Sequence, residues 1–362
     1  MPHLKALTSV RAIAALYVGC YHMVRPFELW GPFAHFMSAG YTGVSFFFML
    51  SGFILLYTHG VEYAEGRAPT VKFWVARFAR VYPLYALSLI WAGYLGREYF
   101  HPHIHILAYV SDFLMMQSWS IRMAPYFSVV AWSLSAEAFF YFVFPFLAPR
   151  LRPRTQRTAI LLFFACWILA LLPAVATLVI DHAGAWSEYP AAGTGSHNFV
   201  YAMRRYPIVL LGQFLSGVAL GWIYLQRPIS RAFAQFAVYA GFAGAIAVLY
   251  FSQRFPFIML HDGLLIPFYA LIVLGLCRPN VLTNLFSLKG FVILGEASYA
   301  FYLFHFLFND VMHVHFGWPT TIAGLVPRLL ILTPVTIGLH FLVERPGRRI
   351  ILGWWKSRHA AA

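Results

Sequence analysis

Residues 160–178 read ILLFFACWILALLPAVATL, and this run decides the fold. No charged residue interrupts it, and its length is close to the roughly 20 apolar residues that a helix needs to cross a bilayer core. A second run, FAQFAVYAGFAGAIAVLYF over 233–251, repeats the pattern. The 362-residue chain is 61% hydrophobic and only 10% charged, where a soluble domain carries about 25% charge. A soluble core has no room for this much apolar surface, so lipid is the solvent. Hydrocarbon satisfies no backbone group, which leaves helices or a closed barrel. Long continuous runs, rather than short alternating ones, select helices. The expectation is an all-α membrane protein, a bundle of about ten transmembrane helices near 11–27, 40–58, 79–96, 129–148, 158–180, 206–225, 232–251, 260–277, 291–314 and 322–343. Residues 104–119, with Asp112, Gln117 and flanking histidines, read as an interfacial or re-entrant segment. No repeat, low-complexity tract, cleavable leader or soluble domain is expected, so 1–362 forms one membrane domain.

The formal net charge is +14. With the N-terminus inside, 19 of the 26 Lys and Arg fall in cytoplasmic segments, as the positive-inside rule requires. Both termini are then cytoplasmic. The basic residues are scattered over separate loops rather than gathered in one groove, so no nucleic-acid partner is expected. Cys20, Cys166 and Cys277 lie in apolar runs and read as buried thiols. His101, His103 and His105 alternate, but no strand is expected there to turn them to one side. They read as interfacial residues, and no metal is expected.

Ionisable and polar groups inside apolar spans are costly and mark candidate sites. Arg11 and His22 share one face of the first span, about 16 Å apart along its axis. Histidine titrates near neutrality and suits general-base work; a core histidine bonded to a carbonyl is the competing reading. In the second span, Ser51 and Gly52 permit close backbone approach. Arg77 and Arg80, three apart, share a face just before Tyr82-Pro83. They suit phosphate binding or, equally, a topology anchor. Trp132-Ser133 opens the fourth span, where Ser133, Glu137 and Tyr141 form one stripe. The span topology would let Glu137 meet His22, and a structural ion pair is the alternative. Ser298, Tyr302 and His305 fall on one face of a late helix, with Tyr299 beside them, and should line a cavity. Glu344-Arg345-Pro346 closes the last span, where a structural ion pair is expected.

Taken in order, these segments resemble acyltransferase family 3 of multi-spanning membrane enzymes. The matching stretches are Arg11-x10-His22, Phe47-Phe48-x-x-Ser51-Gly52, Arg77-x-x-Arg80 with Tyr82-Pro83, Trp132-Ser133-Leu134 with Glu137, Ser298-Tyr299-x-x-Tyr302-x-x-His305, and Glu344-Arg345-Pro346. The family usually reads Leu-Asp-Gly-Leu-Arg-Gly at the first arginine. Here Lys5-Ala6 replaces Asp-Gly, and Ser9-Val10 precedes Arg11.

The resemblance implies an O-acyltransferase of the bacterial inner membrane, most like the stand-alone exopolysaccharide O-acetyltransferases. It implies acetyl-CoA or another acyl-CoA as donor substrate, no permanently bound cofactor, and a carbohydrate acceptor. On that reading His22, Arg11 and Glu137 are catalytic, with Glu137 orienting His22. Arg77, Arg80, Ser51 and Tyr82 bind the donor. Trp132, Ser133, Ser298, Tyr299, Tyr302 and His305 line the substrate channel. Acylation of a non-sugar small molecule, a secondary transporter and a membrane scaffold without turnover remain as rivals.

Overall fold

A computed structural model describes residues 4–24, 31–95, 102–120, 128–188, 195–319 and 321–359, with only the backbone at 31–32, 102–105, 195–196 and 359. The described residues are helical and contain no strand. The main helices are α1 (Lys5–Met23), α2 (Gly43–Ala64), α3 (Thr70–Leu95), α4 (Pro102–Phe113), α5 (Trp132–Arg150), α6 (Gln156–Ile180) and α7 (Gly195–Arg205). They continue as α8 (Leu211–Gln226), α9 (Arg231–Tyr250), α10 (Phe257–His261), α11 (Ile266–Leu276), α12 (Lys289–Phe316), α13 (Ile322–Leu339) and α14 (Arg345–His359). Short turns join them, among them a π turn over His340–Glu344 between α13 and α14.

Among the described residues six helical stretches are long and apolar enough to cross a membrane. They are Gly40–Ala64, Gln156–Ile180, Arg231–Tyr250, Phe257–Leu276, Lys289–Phe316 and Ile322–Arg358. The chain is a multi-pass membrane protein. These six coincide with six of the ten expected spans. The other four expected spans, 11–27, 79–96, 129–148 and 206–225, overlap α1, α3, α5 and α8. Three of these carry the polar site residues, namely Arg11 and His22 on α1, Arg77 and Arg80 on α3, and Ser133 and Glu137 on α5. The fourth, α8, is only 16 residues long and is buried without a break from Gly212 to Trp222. Helix α4 has 12 residues and rises about 18 Å, too short to cross. The alternating histidines at 101, 103 and 105 lie outside the described side chains.

Lipid tails give helices no hydrophobic reason to associate, so close packing through small residues takes over. At the α2–α8 crossing a Cβ on Gly52 would sit 2.1 Å from the Phe214 carbonyl oxygen, and one on Gly217 would sit 1.8 Å from that of Met49. The role of Gly52 in its motif is therefore to press α2 onto α8, while Ser51 turns the other way. Helices α1 and α12 meet in the same manner. A Cβ on Gly295 would lie 2.0 Å from the Thr8 carbonyl, and Gly19 abuts the Phe301 ring. This contact sets the spacing between His22 and His305.

One end of the bundle is basic. Arg152, Arg154 and Arg227 gather there around one surface hollow, and α14 extends from it. Arg11 lies toward this basic end of α1, and His22 lies in the last turn at the opposite end.

Candidate active site

A cavity enclosing about 840 Å³, mouth included, lies among α1, α2, α3, α5 and α12. Its charged and hydroxyl-bearing walls come from Arg11, Ser51, Arg77, Arg80, Glu137 and Tyr141, with Ser298 and Tyr299 from α12. Its apolar walls come from Val44, Phe47, Phe48, Leu50 and Leu134. Ser133 and Tyr302 also line it and are joined by a 2.6 Å hydrogen bond. Tyr302 OH lies 3.1 Å from the Val130 carbonyl, to which it can also donate.

One helical turn beyond Tyr302 is His305, fully buried. Its Nδ1 donates to the Tyr302 carbonyl oxygen at 2.7 Å. A carbonyl only accepts, so Nδ1 carries the proton and Nε2 of the neutral ring is an acceptor. That Nε2 lies 2.9 Å from Nδ1 of His22, which must therefore be the donor. The His22 ring also hydrogen-bonds the Val18 backbone; with the proton on Nδ1, Nε2 of His22 carries the lone pair, the form needed in a base or nucleophile. The ring is held between Tyr21 and Phe306, whose centroids lie 4.7 and 5.7 Å away.

The expected pairing of Glu137 with His22 is not formed. Glu137 accepts hydrogen bonds from the Tyr141 hydroxyl and, at 3.3 Å, from Ser51. It lines the cavity with the arginines, and the partner of His22 is His305 instead. Tyr82 is also displaced from its expected place. Its hydroxyl donates to the Phe113 carbonyl at 3.2 Å, and its ring lines a second, largely apolar cavity of about 600 Å³ with Trp74, Phe78, Met115 and Phe142. Arg77, Glu137 and Tyr141 border both cavities. Trp132 lies outside the lining of the main cavity. It stacks on His261 at 5.6 Å and lies under the Arg205 guanidinium at 6.0 Å. Ser298 and Tyr299 line the cavity while donating to the carbonyls of Gly295 and Val81.

The three arginines differ in their partners. Arg80 is paired with Glu344, whose other oxygen accepts from His340 Nδ1 at 2.8 Å. Arg345 donates to His340 Nε2 at 3.0 Å and pairs with Glu296 at 2.6 Å. Glu344 and Arg345 thus pair with other helices and not with each other, as the π turn aims them. Arg11 and Arg77 form no salt bridge among the described residues, and Arg77 Nε has no hydrogen-bond partner. Both are half-buried, and the lining sets three guanidiniums against the one carboxylate of Glu137, a cationic balance that suits an anionic ligand.

Two features escaped the sequence reading. The His340–Glu344 pair has i,i+4 spacing, a signal present in the sequence but overshadowed by the adjacent Glu-Arg-Pro. The His261–Asp262 pair, joined at 2.9 Å, has no spacing signal. Near it, outside the spans, burial pushes the Arg204 guanidinium down to about 10, while it ties the carbonyls of Gly184 and Glu188 together.

A cationic cavity, with a pair of histidines outside its lining and one helical turn beyond Tyr302, suits a group-transfer enzyme. A family model described as an acyltransferase domain matches residues 4–345, and the chain belongs to that family. It is 27% identical to a protein named acyltransferase MdmB from Streptomyces mycarofaciens, across 96% of this chain and 92% of that one. It is 26% identical to the O-acetyltransferase OatA of Staphylococcus aureus over 84% of this chain, and it spans about half the length of OatA. It is 24% identical to a putative acetyltransferase of Acidianus two-tailed virus, over 85% of this chain and 84% of the relative. No solved structure matches it.

Proposed function

We propose that this enzyme is an O-acetyltransferase that takes its acyl group from acyl-CoA at the basic, cytoplasmic end and delivers it to a carbohydrate hydroxyl at the opposite side of a bacterial inner membrane. The reading includes ten spans with both termini cytoplasmic. The observation that carries it is the cavity itself. Unpaired Arg11 and Arg77 lie in one part, the hydroxyls of Ser133 and Tyr302 in another, and the His22–His305 relay begins one turn further on. The 11 residues between Arg11 and His22 span about 16 Å, the scale of an extended pantetheine arm. Phosphates at the arginines would then bring a thioester toward His22.

Nε2 of His22 takes the proton of the acceptor hydroxyl as that oxygen attacks the thioester carbonyl. The carbon–oxygen bond forms, the carbon–sulfur bond breaks, and the departing thiolate recovers the proton from His22. The Tyr302 and Ser133 hydroxyls are the nearest donors for the developing oxyanion. Alternatively the same lone pair attacks the thioester first, forming a carbon–nitrogen bond as the carbon–sulfur bond breaks and the thiolate leaves; the acceptor oxygen then takes the acyl group from nitrogen and its proton passes to the freed Nε2. The relative that this chain matches end to end is named only as an acyltransferase, which keeps a hydroxylated small molecule as the second reading of the acceptor.

The test is ester-linked acetate on the surface glycan of a deletion strain carrying wild type or His22→Ala, with equal membrane levels of both proteins. Loss of acetate with the variant alone supports the reading, and equal acetate in both refutes the role of His22. Acetyl-CoA turnover by wild type with small hydroxylated acceptors only would establish the second reading. Accumulation of labelled enzyme without acceptor separates the acyl-histidine route from direct transfer.

A further inference from the structure

Helix α14 runs on from α13 through the π turn. The apolar stretch Ile322–Arg358 that contains both is 37 residues long, or about 55 Å, far more than the roughly 30 Å hydrocarbon core. Its last part therefore leaves the span at the basic end. There it lies directly on α3, where a Cβ on Gly347 would be 2.6 Å from Cβ of Pro83. Pro83 stands three residues after Arg80 and shares its helix face. The close contact therefore brings the residue after Gly347, Arg348, outside the cavity lining but within electrostatic reach of Arg80 and Arg77.

Arg348 is exposed and has no ion pair or hydrogen bond among the described residues. Its positive charge acts on both Arg80 and Arg77. Its neighbour Arg345 is already committed to Glu296 and His340. Packing at Gly347 therefore holds a guanidinium with no ion pair near two like charges, an arrangement that Glu344, already shared by Arg80 and His340, offsets in part and that an anionic ligand would relieve further.

We propose that Arg348 is a donor-binding residue that holds the 3′-phosphate of the acyl-CoA ribose at the cavity mouth. The proposal rests on the acyl-CoA reading above. With the pantetheine arm inside the cavity and the pyrophosphate against Arg11 and Arg77, the outermost phosphate emerges where Arg348 stands. The shared chemistry, a phosphate ester, is also that of a lipid headgroup, and the choice of donor in the experiment separates the two.

The experiment measures kcat and KM for the full-length protein in proteoliposomes, with acetyl-CoA and with 3′-dephospho-acetyl-CoA. The variants are Arg348→Ala, Arg348→Lys, Arg77→Ala and, as exposed control, Arg349→Ala. For Arg348→Ala the expected result is a KM for acetyl-CoA raised about tenfold or more, the loss of one charge-assisted hydrogen bond. Its kcat should stay within about twofold, Arg348→Lys should recover part of the loss, and Arg349→Ala should match wild type. With the dephospho donor, wild type and Arg348→Ala should have the same KM. An equal rise for both donors overturns the 3′-phosphate assignment, and is the result a headgroup contact would give. A KM for Arg348→Ala equal to that of Arg349→Ala, beside a raised KM for Arg77→Ala, overturns the role of Arg348 and leaves the acyl-CoA reading standing. No change in any variant overturns both.

Discussion

Replacing His305 by Phe tests the histidine relay directly. Phe keeps an aromatic ring stacked near Phe301, whose centroid lies 6.1 Å away, but it has no nitrogen. The His22 Nδ1 proton then loses the acceptor 2.9 Å away, and among the described residues only the backbone of Val18 still hydrogen-bonds the ring. A buried donor left unsatisfied costs about 1–3 kcal/mol. If that cost falls on the orientation and tautomer needed for reaction, kcat drops about 5- to 150-fold, at about 1.4 kcal/mol per decade. His22→Ala sets the floor, because a general base contributes about 10²–10⁴-fold. His305→Gln should fall between wild type and His305→Phe, since its amide oxygen can still accept from His22. Donor KM should not move, because His305 does not line the cavity. The assay is acetyl transfer from labelled acetyl-CoA in proteoliposomes, with membrane levels matched. A kcat for His305→Phe within twofold of wild type refutes the relay. A loss equal to that of His22→Ala refutes its supporting character and makes His305 a reacting group.

Gly295→Ala forces a Cβ to within 2.0 Å of the Thr8 carbonyl oxygen, a backbone atom that cannot swing aside. Overpacking of about 1–3 kcal/mol is expected, read as a lower Tm in detergent together with reduced transfer; an unchanged Tm contradicts the packing. Glu344→Gln leaves Arg80 and His340 without their shared carboxylate. Breaking a buried pair costs about 3–5 kcal/mol, so a large fall in Tm is expected, and a fall smaller than that of Gly295→Ala counts against it. Tyr302→Phe and Ser133→Ala each break the same 2.6 Å bond. Their effects on stability should therefore be non-additive by at least about 0.5 kcal/mol in a double-mutant cycle, whereas simple addition excludes coupling.

The helices were legible because lipid imposes a rule that composition alone can express, as the uninterrupted run at 160–178 shows. The polar stripes were legible for the same reason, since Ser298, Tyr302 and His305 could not face lipid. Which stripes would meet was a different matter. The expected topology put Glu137 and His22 in reach, but the rotation of α5 about its axis decides whether they touch, and hydropathy does not record that rotation. Gly19 and Gly295 press α1 onto α12 and so choose His305 as the partner of His22. Glu137 is left to Tyr141 and Ser51. The pairing of Arg80 with Glu344 was hidden similarly. It depends on a π turn, which adds a residue to one helical turn and leaves no mark in the hydropathy pattern.

The division of charge within the bundle follows the course of the proposed reaction. The carboxylates of the arginine network, Glu137, Glu344 and Glu296, stay on the arginine side; Glu188 accepts from the hydroxyl of Tyr21, whose ring lies against His22, and among the described residues no carboxylate hydrogen-bonds directly to either ring of the His22–His305 relay. A carboxylate would hold the His22 tautomer at least as firmly as His305 does. It would also place a fixed negative charge, in a medium of low dielectric, beside the spot where the thioester carbonyl becomes an oxyanion, raising the barrier it was meant to lower. A neutral imidazole bonded to a backbone carbonyl fixes the same tautomer without that field. Arg11, Arg77 and Arg80 line the cavity, where on the proposed reading they attract the phosphates of the donor, while Arg328, at the His22 end, is held by the Met23 and Trp318 carbonyls. On the proposed reading, two histidines in series therefore orient the base without bonding a carboxylate to the ring beside which the oxyanion forms.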